Sequence, residues 1–229
     1  MRKCNLLVTA AAITVSLTAL VSCEKENTPS VQDGSCEPVS WIPDSPEITI
    51  LPGETAKVYG TVTWSDGHKT SDFEATRINS ADKDIVWTYG GWNMVGVTPG
   101  ESTATAETGA WTGSWEGERN FSQEIKVTVV NPEKPIIGLE LSPAHATIKA
   151  GEEINFKVYA VYADTRREIS PIVCDFDVTD DGAQHIAYIF KDGKANVNAS
   201  QGTGETYFKA TYVENGITVE ANSTIESVL

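Results

Sequence analysis

Two stretches of this 229-residue chain are versions of one another. Residues 47–64 read EITILPGETAKVYGTVTW and residues 145–162 read HATIKAGEEINFKVYAVY. Both contain Thr-Ile, Gly-Glu and Lys-Val-Tyr in that order, and Trp64 falls opposite Tyr162. Farther on, Gly100-Glu101 corresponds to Gly204-Glu205 and Ala106 to Ala210, so the second copy carries extra residues in between. A sequence that repeats at domain length folds as two copies of one unit in preference to a single undivided core. The expected division is a first domain at 43–131, a linker at 132–135 and a second domain at 136–229, preceded by a leader at 1–22 and a tether at 23–42.

The repeated stretches alternate with period two. Val58, Val62 and Trp64 fall on one face, with Tyr59, Thr61 and Thr63 on the other. In the second copy Ile154, Phe156, Val158, Ala160 and Tyr162 alternate with Asn155, Lys157 and Tyr159. That is the pattern of a half-buried antiparallel strand. No stretch after residue 23 has a helical period. Runs rich in Val, Ile, Thr and Tyr are cut at short intervals by Gly, Pro, Asp and Asn, as in a β-sandwich. Asn215-Gly216, between two such runs, signals a tight hairpin. Asn131-Pro132-Glu133-Lys134-Pro135 reads as a short, stiff connection. The fold expected is all-β: two tandem immunoglobulin-like β-sandwiches.

The leading segment has a different character. Met1-Arg2-Lys3 is basic, and Leu6 to Val21 is an apolar run of signal-peptide length, short for a membrane span. It ends in Leu20-Val21-Ser22-Cys23, which resembles the lipobox of bacterial lipoproteins. The resemblance implies cleavage before Cys23, acylation of its thiol and often of the new amine, and a partner membrane held through that lipid. Two or three acyl chains anchor stably where one is marginal. Glu24-Lys25-Glu26-Asn27 and the Thr-, Pro-, Ser- and Gly-containing stretch after it read as a flexible tether. Charges directly after the lipidated Cys resemble the surface-export signals of Bacteroidetes lipoproteins; a plain spacer facing the periplasm is the alternative.

At these residues the copies resemble a known family. Leu139-Glu140-Leu141-Ser142-Pro143, Gly151-Glu152, Gly193-Lys194-Ala195 and Gly202-Thr203 through Ala210-Thr211 are similar to the bacterial immunoglobulin-like group 2 domains. The first copy keeps Pro52-Gly53-Glu54, Trp87 and Pro99-Gly100-Glu101 through Ala106. The second departs where Val173-Cys174-Asp175-Phe176 offers no Trp. The resemblance covers about residues 43–229 and implies a fold more than a function, since members serve as stalks, spacers and binding modules.

The formal net charge of −15 repels phosphate backbones, which argues against nucleic acid as a partner. Cys4 leaves with the leader, so Cys36 and Cys174 remain. A bridge between them would need the tether to fold back; otherwise Cys174 is a small buried hydrophobe and Cys36 is exposed or pairs elsewhere. No metal-ligand spacing such as C-x-x-C occurs, and no cofactor motif. His68, His145 and His185 have no nucleophile motif beside them, so no catalytic residue is expected and the chain does not read as an enzyme. Asp175, Asp177, Asp180 and Asp181 match no calcium loop and read better as a solvated edge.

The tryptophans carry the functional expectation. Of six, five fall between residues 64 and 115. Trp87, alternating with Ile85 and Tyr89, is expected in the core. Trp64 is expected to pack there too, or to cap an edge. Trp111 and Trp115 lie in Thr108–Arg119, where the second copy has only its Asn-Gly turn, so this segment reads as an inserted loop. Exposed Trp faces stack on sugar rings or anchor protein partners. Trp111 and Trp115, with Glu116, Glu118 and Arg119 as hydrogen-bonding neighbours and Trp92 as an extension, are therefore the candidate ligand site. The alternative is that the pair seals the sandwich end or the gap between domains. The expectation is a non-catalytic outer-membrane surface lipoprotein for adhesion or for binding a glycan or protein. The alternative is an accessory subunit or spacer docking into an outer-membrane assembly such as glycan-uptake machinery.

Overall fold

The computed structural model describes residues 36–228, except 112–117, 150–151, 181–185, 192–193 and 200–202. The leader, Cys23 and the tether up to residue 35 lie outside the described residues.

The first unit holds β1 (Pro38–Pro43), β2 (Glu47–Ile50), β3 (Thr55–Ala56), β4 (Tyr59–Trp64), β5 (Lys69–Glu74), β6 (Arg77–Ser80), β7 (Val86–Tyr89), β8 (Asn93–Gly96), β9 (Gly100–Trp111) and β10 (Glu118–Val129). One layer consists of β1-β4-β5 and β3-β8-β7, where β3 and β4 are successive pieces of one strand path broken at Lys57 and Val58; the facing layer is β2-β10-β9-β6. The second unit holds β11 (Gly138–Ser142), β12 (His145–Lys149), β13 (Glu153–Val161), β14 (Arg166–Ile169), a 3-10 turn at Pro171–Val173, β15 (Asp175–Asp180), β16 (Ile186–Lys191), β17 (Lys194–Ala199), β18 (Gly204–Glu214) and β19 (Ile217–Val228). Its layers are β11-β13-β17-β16, with β14 beside β13, and β12-β19-β18-β15.

The two units have one topology. In each, the opening strand pairs antiparallel with the strand path that carries the repeat (β1 with β4, β11 with β13). The chain then crosses layers and runs parallel to the last strand (β2 with β10, β12 with β19). This sheet switch within a two-layer, nine-strand sandwich is immunoglobulin-like. The hydrophobic core of each unit is its own: one runs from Trp41 to Val129, the other from Ile136 to Ile225.

The repeated Gly-Glu has a structural reason. The Leu51 N–H donates to Glu54 Oε2 at 2.8 Å, and the Lys149 N–H donates to Glu152 Oε2 at 2.9 Å. The backbone closes the same turn in both, Glu54 N to Leu51 O and Glu152 N to Lys149 O, each at 3.0 Å. The carboxylate thus satisfies an amide that the crossing from the parallel strand leaves without a ladder partner. At the second hairpin, Asn215 and Gly216 take φ of 52° and 78°, the left-handed pair that a tight hairpin turn demands.

Three expectations change here. Residues 38–42, assigned to the tether, belong to the strand Pro38–Pro43, whose Trp41 is fully buried. Trp87, expected in the core, is 44% exposed. Its neighbour Val86 points inward instead, as does Met94 on the paired strand, where it stands opposite Thr88, so the strand is one residue out of the expected phase. Half of the segment read as an inserted loop is ladder: Trp111 pairs with Glu118, Ala110 with Arg119 and Thr108 with Phe121, so β9 and β10 extend into it from both sides of residues 112–117, which lie outside the described residues.

The sandwiches touch at Gly53, whose carbonyl accepts the Ser170 N–H at 2.8 Å. Gly53 has φ of 77°, and a Cβ there would stand 2.7 Å from the Ile169 side chain. Only glycine permits this approach.

Candidate functional site

The outer face of the β3-β8-β7 sheet is the aromatic surface of the first sandwich. Paired residues in an antiparallel ladder share a face. The register sets Thr55, Val95 and Trp87 in one row, with Tyr89 opposite Asn93 in the next. Val95 is fully buried on this face, and Trp87 beside it keeps nearly half its surface in water. The Tyr89 hydroxyl reaches Thr55 Oγ1 at 3.2 Å. Trp92, 47% exposed, ends the hairpin in a turn where Gly90 and Gly91 take φ of 62° and 86°. The exposed Tyr59 lies nearby across Lys57, which bonds Glu74 at 2.8 Å. The Lys57 ammonium is held above its ordinary pKa, chiefly by that Glu74 hydrogen bond, with Tyr59 and Tyr89 adding smaller electrostatic support.

This face opens on a groove of about 570 Å³ between the sandwiches. The first unit lines it with Thr55 and Tyr89, the second with Asn155, Lys157, Glu168 and Ser170. Lys157 and Glu168 are paired at 2.9 Å. The lining thus sets a phenol ring beside hydroxyls, an amide and a carboxylate–ammonium pair. The contact at Gly53 holds the two walls together.

The expected site residues divide into three groups. Trp92 is exposed, as a contact residue must be. Trp111, Glu118 and Arg119 have strand backbones, and their side chains lie outside the described residues, as do Trp115 and Glu116 entirely. The Trp92 turn is on the way to that hairpin: Ile78 N donates to Gly91 O, β6 pairs with β9 at Arg77–Glu107, and β9 runs on from there to Trp111. Trp87, Tyr89 and Tyr59 were not expected in a site. Trp64 is buried, with Nε1 donating to Thr70 Oγ1 at 2.9 Å.

Of the remaining candidates, Asp175 and Asp177 are exposed along β15, and Asp177 lies 3.8 Å from Lys209, as a solvated strand edge does. Cys174 is a free, buried thiol whose pKa burial pushes up to about 12, which removes it from nucleophilic chemistry. Cys36 is free as well and stands beside Asp66 and His68, the one grouping among the described residues that could hold a metal ion. The Asp66 carboxyl is held below its ordinary pKa, first by the His68 backbone N–H.

Fold and surface together define a tandem immunoglobulin-like β-sandwich protein with an aromatic groove at the domain junction. No protein-family model matches the sequence, and none of the curated proteins does. Among solved structures it is similar to domains 5-6 of the S-layer protein SbsC, with 16% identity and TM-score 0.31, covering 84% of this chain and 98% of that one. It is also similar to a SusE-like surface located polysaccharide binding protein from the Bacteroides thetaiotaomicron heparin utilisation locus (10% identity, TM-score 0.29, 84% of this chain and 34% of that one). Protocadherin Gamma C5 EC1-3 stands at 10% identity and TM-score 0.29, over 86% of this chain and 69% of that one. Likeness at this level leaves the description of the molecule to its own topology.

Proposed function

We propose that this chain is a lipid-anchored bacterial surface protein that binds a glycan, without catalysis, where its aromatic hairpin meets the groove between the sandwiches. The observation that carries the reading is the half-exposed Trp87 beside Tyr89, on a face that opens on polar side chains of the second unit. A folding chain has no energetic reason to leave large aromatic area in water at two positions of one hairpin, Trp87 and Trp92. A sugar chain covers such area with a C–H face and, reaching past Tyr89 into the groove, satisfies Asn155, Lys157 and Glu168 with hydroxyls. The hairpin ending in Trp111 and Trp115, with Glu116, Glu118 and Arg119, extends the contact surface beyond Trp92 in this reading.

Isothermal titration against a panel of bacterial, plant and host glycans tests the site. Trp87→Ala and Trp92→Ala are each expected to weaken the best binder at least about tenfold, the effect of losing a central aromatic anchor, with the circular dichroism spectrum unchanged. Full affinity in the double variant, or no binder for the native protein, would overturn the glycan reading. The anchor rests on Leu20-Val21-Ser22-Cys23. Cys23→Ala is expected to abolish metabolic acyl labelling in the cell; a labelled variant would refute lipidation at that residue.

A further inference from the structure

Three Lewis bases converge at the edge of the first sandwich, two from one turn and the third from 32 residues before His68. His68 Nδ1 lies 2.5 Å from Asp66 Oδ1 and 3.8 Å from Cys36 Sγ, and all three donor atoms fall within 4.8 Å of one another. Each is held by its surroundings. The His68 ring stacks on Trp64 with centroids 5.3 Å apart and planes 10° apart, and Trp64 is itself fixed in the core. The Asp66 carboxylate accepts the His68 backbone N–H at 3.0 Å. Cys36 is kept against the turn by a reciprocal pair, Ser65 N to Glu37 O at 2.7 Å and Glu37 N to Ser65 Oγ at 3.0 Å.

A catalytic relay does not fit this geometry. In a nucleophile–His–carboxylate relay the nucleophile and the carboxylate address opposite ring nitrogens. Here thiol and carboxylate face the same one, Nδ1. One nitrogen carries at most one proton, which cannot serve two acceptors fully. A cation placed among the three donors serves them all.

We propose that Cys36, Asp66 and His68 bind a divalent zinc ion. Thiolate, imidazole and carboxylate form a borderline-soft donor set, which suits zinc and is wrong for calcium or magnesium, whose ligands are all oxygen. Tetrahedral zinc, with bonds of about 2.0 Å to N and O and about 2.3 Å to S, sets its donors roughly 3.3–3.5 Å apart. The Cys36–His68 distance is close to that already. The Asp66–His68 pair opens by rotation of two side chains that are each about half exposed. On binding, the ion takes the Cys36 sulfur as thiolate and its proton passes to solvent. Water fills the fourth position. The ion then ties the residues just before β1 to the turn between β4 and β5, so loading stabilises the unit whose core Trp41 completes.

Cobalt(II) titration of the full chain tests this independently of any glycan. Thiolate ligation produces near-ultraviolet charge-transfer absorption, and tetrahedral geometry produces intense visible bands. Both are expected in the native protein and in Cys174→Ser, and neither in Cys36→Ser or His68→Ala. Asp66→Asn keeps an acceptor for the His68 N–H, so its fold is retained, and it is expected to weaken zinc at least tenfold by calorimetry. Bands that persist in Cys36→Ser, native protein without them, or zinc affinity unchanged in Asp66→Asn would each overturn the site.

Discussion

Trp41→Ala is expected to unfold the first sandwich at denaturant concentrations where the second stays intact. Trp41 has no exposed surface, packs between the layers, and donates from Nε1 to the Phe73 carbonyl at 3.3 Å. Its neighbour Gly60 is a glycine for this reason: a Cβ there would stand 2.5 Å from Trp41 Nε1. Removing a buried Trp costs about 3–5 kcal/mol, a large part of the roughly 5–15 kcal/mol that holds a domain folded. The second core shares no residue with the first, so its transition should not move. Urea unfolding followed by hydrogen exchange distinguishes the units. Two transitions that shift together by similar amounts would mean that the sandwiches fold as one cooperative block, against the separate cores described above. Trp41→Phe fills most of the volume and loses only the hydrogen bond to Phe73, so its cost should be nearer 1–2 kcal/mol.

That residue also marks where sequence reasoning stopped short. Trp41 sits in Pro-Val-Ser-Trp-Ile-Pro, which follows the polar tether stretch and falls with it as far as residue 42 in the expected division, and its two prolines are no mark of a strand. They are tolerated because β1 ends its sheet order, next to β4 alone, where a missing N–H costs no ladder bond. A shift of register between Pro38 and Ser40 also breaks the alternation by which a strand is recognised. Trp87 failed for a related reason: Ile85, Val86 and Trp87 are all apolar, so a single strand does not say which parity faces the core. The first unit's Trp requirement is met by Trp41 and Trp64, which frees Trp87 for the surface.

Features with local causes were legible. The Gly-Glu turn and Asn215-Gly216 are each specified within four residues, by a carboxylate that reaches back to an amide and by a left-handed pair. The buried parity of the repeat also held, with Val58, Val62 and Trp64 matched by Phe156, Ala160 and Tyr162 in their cores. The groove and the zinc donors were not legible, because both depend on tertiary adjacency. Cys36 meets His68 only once β1 lies on β4, and Tyr89 meets Lys157 and Glu168 only once Gly53 has docked on Ile169 and Ser170.

The repeat itself poses the second large effect. Trp64 and Tyr162 occupy matching buried positions, and each brings a polar atom that needs a partner. The first unit answers with a neutral hydroxyl, Thr70. The second answers with charge. Tyr162 donates to Glu214 Oε2 at 3.0 Å, Tyr212 donates to the same oxygen at 3.3 Å, and Arg167 Nη2 stands 3.5 Å from it while donating to the Tyr162 hydroxyl at 2.9 Å. The Glu214 side chain is 1% exposed and that of Arg167 22%. Desolvation raises the pKa of both phenols, which keeps them protonated as donors to the carboxylate. Arg167→Met therefore leaves a buried carboxylate without its counter-charge and is expected to cost about 3–5 kcal/mol in the second unit. Glu214→Leu alone strands the guanidinium and two hydroxyls and should cost a similar amount. The double variant Arg167→Met/Glu214→Leu removes both charges together and should recover a large share, since replacing a buried ion pair by packed apolar groups is often close to neutral. A double-mutant cycle on the urea transition of the second unit measures this coupling. Strict additivity would mean that the two charges do not compensate one another, and that the phenols alone stabilise Glu214. The first unit provides the control: Thr70→Val beneath Trp64 breaks a neutral bond and should cost about 1 kcal/mol.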